Sequence, residues 1–115
     1  MAKLYFNYSS MNAGKSTALL QANHNYHERG MKTKMFTYLG DNRFEKNKIV
    51  SRIGISADSN AFSETTDLFQ NLIEDKEQKK IKCVLIDEAQ FLKKEQVAQL
   101  GRIVDELDIA VLAFG

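Results

Sequence analysis

Proline is missing from all 115 residues, and cysteine occurs once, as Cys83. A single cysteine excludes a disulfide within the chain and fits a reducing compartment. For the missing proline the sequence offers no physical reason. Charge of one sign is not in excess either: 16 basic and 15 acidic residues leave a formal net charge of +1. Nothing in that balance points to a nucleic-acid or anionic-membrane surface. No apolar run approaches the roughly 20 residues that span a membrane. The opening MAKLYFNYSS has no long apolar stretch followed by a small-residue cleavage site. These absences predict a cytoplasmic protein with no signal peptide, no nucleic-acid partner and no membrane partner. What is present, 43% hydrophobic and 27% charged residues over a length suited to one domain, is the composition of a globular chain with an ordinary core.

The pattern along the chain is strand, loop, helix, repeated. Lys3–Tyr8 reads as a short aromatic-rich strand, and Gly14 to about Arg29 as a helix with Leu19, Leu20 and Tyr26 on its buried side and Gly30 placed to end it. Thr33–Leu39 reads as a second strand. From Gly40 to about Thr65 the pattern is weak and polar, as in functional or mobile loops, with Ile49, Val50, Ile53 and Ile55 available for a short extension or edge strand within it. Leu68, Phe69, Leu72 and Ile73 predict a helix over Asp67–Glu77. Ile81–Ile86 is a nearly continuous apolar run, as expected of a central parallel strand. Lys94–Leu107 places Val97, Leu100, Val104 and Leu107 on one helical face, and Ile109–Phe114 reads as a fourth strand. Alternating strands and helices predict an α/β fold with a parallel sheet flanked by helices and right-handed crossovers. The chain stops at Gly115, where such a sheet would place a ligand-bearing loop, so a truncated chain is expected.

Three short segments carry chemistry. Ser9-Ser10-Met11-Asn12-Ala13-Gly14-Lys15-Ser16 fits the phosphate-gripping P-loop pattern with serine at its first position. An apolar strand precedes it and a helix follows, so loop N–H groups and the positive helix end would surround phosphate oxygens. Gly14 permits close backbone approach, Lys15 puts a compact positive charge on the β- and γ-phosphates, and the Ser16 hydroxyl reaches Mg²⁺. The bland alternative is a small-residue turn with a lysine at a helix start. Cys83-Val84-Leu85-Ile86-Asp87-Glu88 is four apolar residues of a strand ending in two acids, the Walker B arrangement: Asp87 would hold the magnesium shell, and Glu88 would accept a proton from an attacking hydroxyl. Gly40-Asp41-Asn42-Arg43-Phe44 follows the second strand; Asp41 would join the metal's outer shell and Arg43 neutralise phosphate charge, or the segment is a solvated turn. Cys83 reads as a small core residue. His24 and His27 lie three apart on the first helix with no third ligand apparent, and the charged run Glu74–Lys80 reads as a solvated helix end.

Taken together, Ser9 and Met11–Thr17 (SxMNAGKST), Asp41–Phe44 (DNRF), Ser51–Gly54 (SRIG), Val84–Phe91 (VLIDEAQF) and the closing Phe114-Gly115 resemble the type II, cytosolic-type thymidine kinases in their bacterial form. The resemblance covers the whole chain, which corresponds to the larger N-terminal part of such an enzyme. It implies a RecA-like P-loop NTPase fold over residues 1–115, stopping before the family's zinc-binding lasso domain. It implies transfer of the ATP γ-phosphoryl group to the 5′-hydroxyl of thymidine, giving dTMP for DNA precursor salvage. By matched position, Ser9, Met11, Asn12, Ala13, Gly14, Lys15, Ser16 and Thr17 would bind ATP. Asp41, Arg43, Asp87 and Gln90 would complete the nucleotide site, with Ser16 and Asp87 on Mg²⁺. Glu88 would be the general base, Met11 and Phe91 would line the thymine pocket, and Gln90 would sit beside it. The family further implies a homotetramer, feedback inhibition by dTTP, and zinc ligands only beyond Gly115. Two other readings stay open on the sequence: a RecA-like ATPase in which Glu88 orients water, and a fragment that binds ATP without catalysis.

Overall fold

The computed structural model describes residues 2–7, 15–38, 48–50, 56–58 and 60–115. In chain order the elements are β1 (Leu4–Asn7), α1 (Lys15–Glu28), β2 (Lys32–Tyr38), β3 (Lys48–Val50), β4 (Ser56–Asp58), β5 (Asn60–Phe62), α2 (Leu68–Ile73), β6 (Ile81–Asp87), α3 (Lys94–Leu107) and β7 (Ala110–Phe114), with 3-10 turns at Gln78–Lys80 and Ala89–Phe91. Among the described residues, β1, β7, β6, β2 and β5 form one sheet in that spatial order, and every neighbouring pair is parallel. The expected α/β architecture is therefore present, with the apolar strand β6 at its centre.

Period-two alternation sends β6 side chains to two separate cores. Cys83 and Leu85 pack with Leu19 and Leu20 of α1, Met35 of β2 and Phe114 of β7. Val84 and Ile86 face the other way, onto Phe36, Val111, Ala113, Leu68 and Leu72 of α2, and Leu100 and Ile103 of α3. Helices thus cover both faces, which is why β6 is apolar almost throughout. Gly30, at φ 75°, ends α1: its N–H donates to the His27 carbonyl and the Met31 N–H to the Tyr26 carbonyl.

Three expectations need correcting. The helix predicted over Asp67–Glu77 stops at Ile73, and Asp67 is its N-cap, accepting the Gln70 N–H at 2.9 Å. The Asp75 carboxylate instead takes the Glu77 N–H at 2.8 Å and the Lys34 ammonium at 2.7 Å, which turns the chain back toward β2. Ile73 is consequently exposed, and the charged run to Lys80 is a turn and a 3-10 segment with Glu77 paired to Lys32. Second, Lys48–Val50 does not extend the main sheet but pairs antiparallel with Ser56–Asp58, while the sheet's edge is β5, which the periodicity did not predict. Ile53 and Ile55 lie outside the described residues. Third, the buried centre of α3 is Gln96, Leu100 and Ile103, with Val97, Val104 and Leu107 flanking it, partly buried. Gln96 is buried because its amide donates to the Ser63 and Thr66 carbonyls at 2.7 and 3.0 Å and accepts the Lys93 N–H at 3.0 Å.

Candidate active site

Parallel pairing aligns the carboxyl ends of the strands along one edge. Asn7 of β1 is in register with Phe114, Phe114 with Asp87, and Asp87 with Thr37. Open α/β sheets bind ligands beyond this edge. β1 ends on this edge at Asn7, and the next described element is α1, which begins at Lys15.

Asp87 closes β6 and is only 7% exposed. Alternation puts it on the α1 face, with Cys83 and Leu85 below it. One carboxylate oxygen accepts the Glu88 N–H at 2.9 Å, and the other lies 3.4 Å from the Thr37 hydroxyl. These donors make a buried charge tolerable in a sheet otherwise lined with hydrocarbon. Glu88 then adopts a left-handed backbone, φ 59° and ψ 43°. For a side-chain-bearing residue that conformation costs about 1–2 kcal/mol, and such strain concentrates at functional sites. The half-buried Glu88 side chain accepts from the Gln90 amide at 3.0 Å, and its carbonyl accepts the Phe91 N–H at 3.1 Å. The 3-10 turn so formed carries Phe91, 47% exposed, onto the Tyr38 ring with centroids 4.5 Å apart and planes 18° apart.

The structure therefore brings Asp87, Glu88, Gln90 and Phe91 together at the carboxyl edge. Lys15, Ser16 and Thr17 fall in the first turn of α1. Ser9, Met11, Asn12, Ala13, Gly14, Asp41 and Arg43 lie outside the described residues. The sequence did not single out Thr37 or Tyr38; the available signal was that β2 ends on the same edge as β6. Cys83, fully buried, has its thiol pushed up to about 11 by burial, as befits a core group rather than a nucleophile. His24 pairs with Glu28 at 2.6 Å, and His27 is 3.1 Å from the Thr33 hydroxyl, both on the surface. Among the described residues no cluster of three or more His, Cys, Asp or Glu could hold a metal ion, and no helix is long and apolar enough to cross a membrane.

Comparison with known sequences adds the family. The sequence model of thymidine kinase matches residues 2–115. The chain belongs to the thymidine kinase family. A thymidine kinase of Colwellia psychrerythraea is 57% identical over all 115 residues, which cover 60% of that protein. The thymidine kinases of Escherichia coli O157:H7 and Salmonella typhimurium are each 52% identical over the same residues, 56% of their length. The chain thus spans a little over half the length of these thymidine kinases. Its parallel sheet flanked by helices is consistent with a P-loop-like N-terminal domain of a thymidine kinase.

Proposed function

We propose that the enzyme containing these residues transfers the γ-phosphoryl group of ATP to the 5′-hydroxyl of thymidine, giving dTMP and ADP. The observation that carries this reading is the pair at the end of β6: a buried Asp87 held by the Glu88 N–H, and beside it a strained, half-buried Glu88. Family membership supplies the substrate class.

The assignments follow from chemistry. The 5′-hydroxyl gives its proton to the Glu88 carboxylate as its oxygen attacks the γ-phosphorus, and the bond from phosphorus to the ADP oxygen breaks. Lys15 balances the charge on the β- and γ-phosphates, with the loop N–H groups of Ser9–Gly14, Thr17, Asp41 and Arg43 assisting. Asp87 and Ser16 are assigned to Mg²⁺. An oxygen-only donor set at a buried carboxylate suits this hard cation and supports that assignment. When bound, magnesium neutralises charge developing on the phosphate oxygens. Met11 and Phe91 are assigned to the thymine ring, with Gln90 beside it, tethered to Glu88. We further assign residues 1–115 to the nucleotide-binding domain and the zinc-binding lasso to sequence beyond Gly115. Cytoplasmic location, a role in salvage, a homotetramer and inhibition by dTTP are carried over from the family resemblance.

Phosphoryl transfer to a nucleoside and simple hydrolysis are separated by ADP release. In the full-length enzyme ADP formation is expected to require thymidine, and Glu88→Gln is expected to lower kcat about 10²–10⁴-fold. Nucleoside-independent hydrolysis, or near-wild-type turnover of Glu88→Gln, would overturn the reading.

A further inference from the structure

Phe91 is not held by its own turn alone. Its ring lies nearly parallel to that of Tyr38, 4.5 Å away, and Tyr38 meets Phe62 of β5 edge-on at 5.5 Å. Tyr38 ends β2 on the α2–α3 face and is partly buried against that core. The Glu64 carboxyl is held below the usual range, first by the Glu64 backbone N–H and then by the Tyr38 hydroxyl. Glu64 itself sits in a fixed turn: the Ser63 N–H donates to the Thr66 hydroxyl at 3.0 Å, and buried Gln96 ties down the Ser63 and Thr66 carbonyls. Bonds from α3 therefore hold the 63–66 turn, Phe62 directly before that turn meets Tyr38, and Tyr38 in turn meets the exposed ring beside Glu88.

We propose that Tyr38 is a positioning residue for the acceptor nucleoside: stacked behind Phe91, it fixes the angle at which that ring meets a planar base. The inference rests on the thymidine kinase reading given above. A stacked aromatic backing removes the freedom Phe91 would otherwise lose on binding, so its benefit falls on acceptor affinity rather than on ATP. Because the Phe91 N–H also closes onto the Glu88 carbonyl, a displaced ring disturbs the turn that carries the base.

The test uses the full-length enzyme. Tyr38→Leu is expected to raise KM for thymidine about three- to tenfold, with KM for ATP within about twofold of wild type. Tyr38→Phe, which keeps the ring, should restore most of the loss. In the Phe91→Leu background, Tyr38→Leu should add little, because the ring it supports is gone. If Tyr38→Leu does not fold, Tyr38→Met, equally without a planar face, carries the same expectation. An unchanged thymidine KM, a parallel rise in both KM values, or full additivity with Phe91→Leu overturns the proposal while leaving the kinase reading intact. Absence of thymidine-dependent ADP formation in the wild type would overturn both.

Discussion

The backbone N–H of Glu88 donates to the side chain of Asp87, its immediate predecessor, at 2.9 Å. Immediately after this link, Glu88 leaves the strand in a left-handed conformation, φ 59°. The bond and the strained backbone thus fall on consecutive residues at the point where the chain leaves the sheet.

A first prediction concerns that strain. Glycine adopts a left-handed backbone freely, so Glu88→Gly relieves it, although glycine also adds freedom to the unfolded chain. Stability in urea denaturation is expected to rise by up to about 1 kcal/mol, while phosphoryl transfer in the full-length enzyme is lost. A stability loss above about 1 kcal/mol would mean that the Glu88 side chain supports the fold rather than the chemistry.

Gln96 tests a different kind of residue, polar but 1% exposed. Gln96→Leu keeps the bulk and leaves the Ser63 and Thr66 carbonyls and the Lys93 N–H without the bonds seen here. A destabilisation of about 2–4 kcal/mol is expected, since each buried group left unsatisfied costs roughly 1–3 kcal/mol and water can reach part of the turn. A change within about 0.5 kcal/mol, the usual range for surface substitutions, would show that the turn is held by other means.

The Lys34–Asp75 pair sets an acid limit. The Lys34 ammonium, and after it the Glu77 N–H, hold the Asp75 carboxyl below the usual aspartate range. A carboxyl whose folded value lies below its unfolded one contributes stability that is complete above the unfolded value and disappears as pH falls through the folded one. Asp75→Asn should therefore be less stable than wild type at pH 7, and the gap should narrow below about pH 4. Urea midpoints at pH 7 and pH 3 measure this; an equal gap at both would exclude the charge of Asp75 as its source.

Much of this fold was legible in residue patterns, and the exceptions share a cause. Strand β6 and helix α3 announce themselves because burial on both faces, or on one stripe, leaves a run or a period of apolar residues. β5 leaves no such trace: Asn60-Ala61-Phe62 is too short for alternation to register, and its place is fixed by pairing with Phe36–Tyr38 of β2. The early end of α2 depends on Asp75 reaching Lys34, 41 positions earlier. Gln96 reads as surface because its partners are carbonyls 30 and 33 positions away. At the site, the Asp87-Glu88 dipeptide identified the acids by type, whereas the left-handed turn at Glu88 and the backing of Phe91 by Tyr38 are tertiary facts with no local signature.

The pairing of β1 with β7 has a consequence for how the molecule is made. The Ala2 N–H reaches the Asp108 carboxylate at 3.0 Å across 106 positions of sequence, and the Val111 N–H donates to the Lys3 carbonyl. Among the described residues β7 is the sole sheet neighbour of β1. On the ribosome, β1 emerges well before β7 and gains this neighbour only after residues 110–114 have followed it out. Strand β1 is therefore among the last elements of the sheet to be anchored, and the central strands β2 and β6 can associate before it.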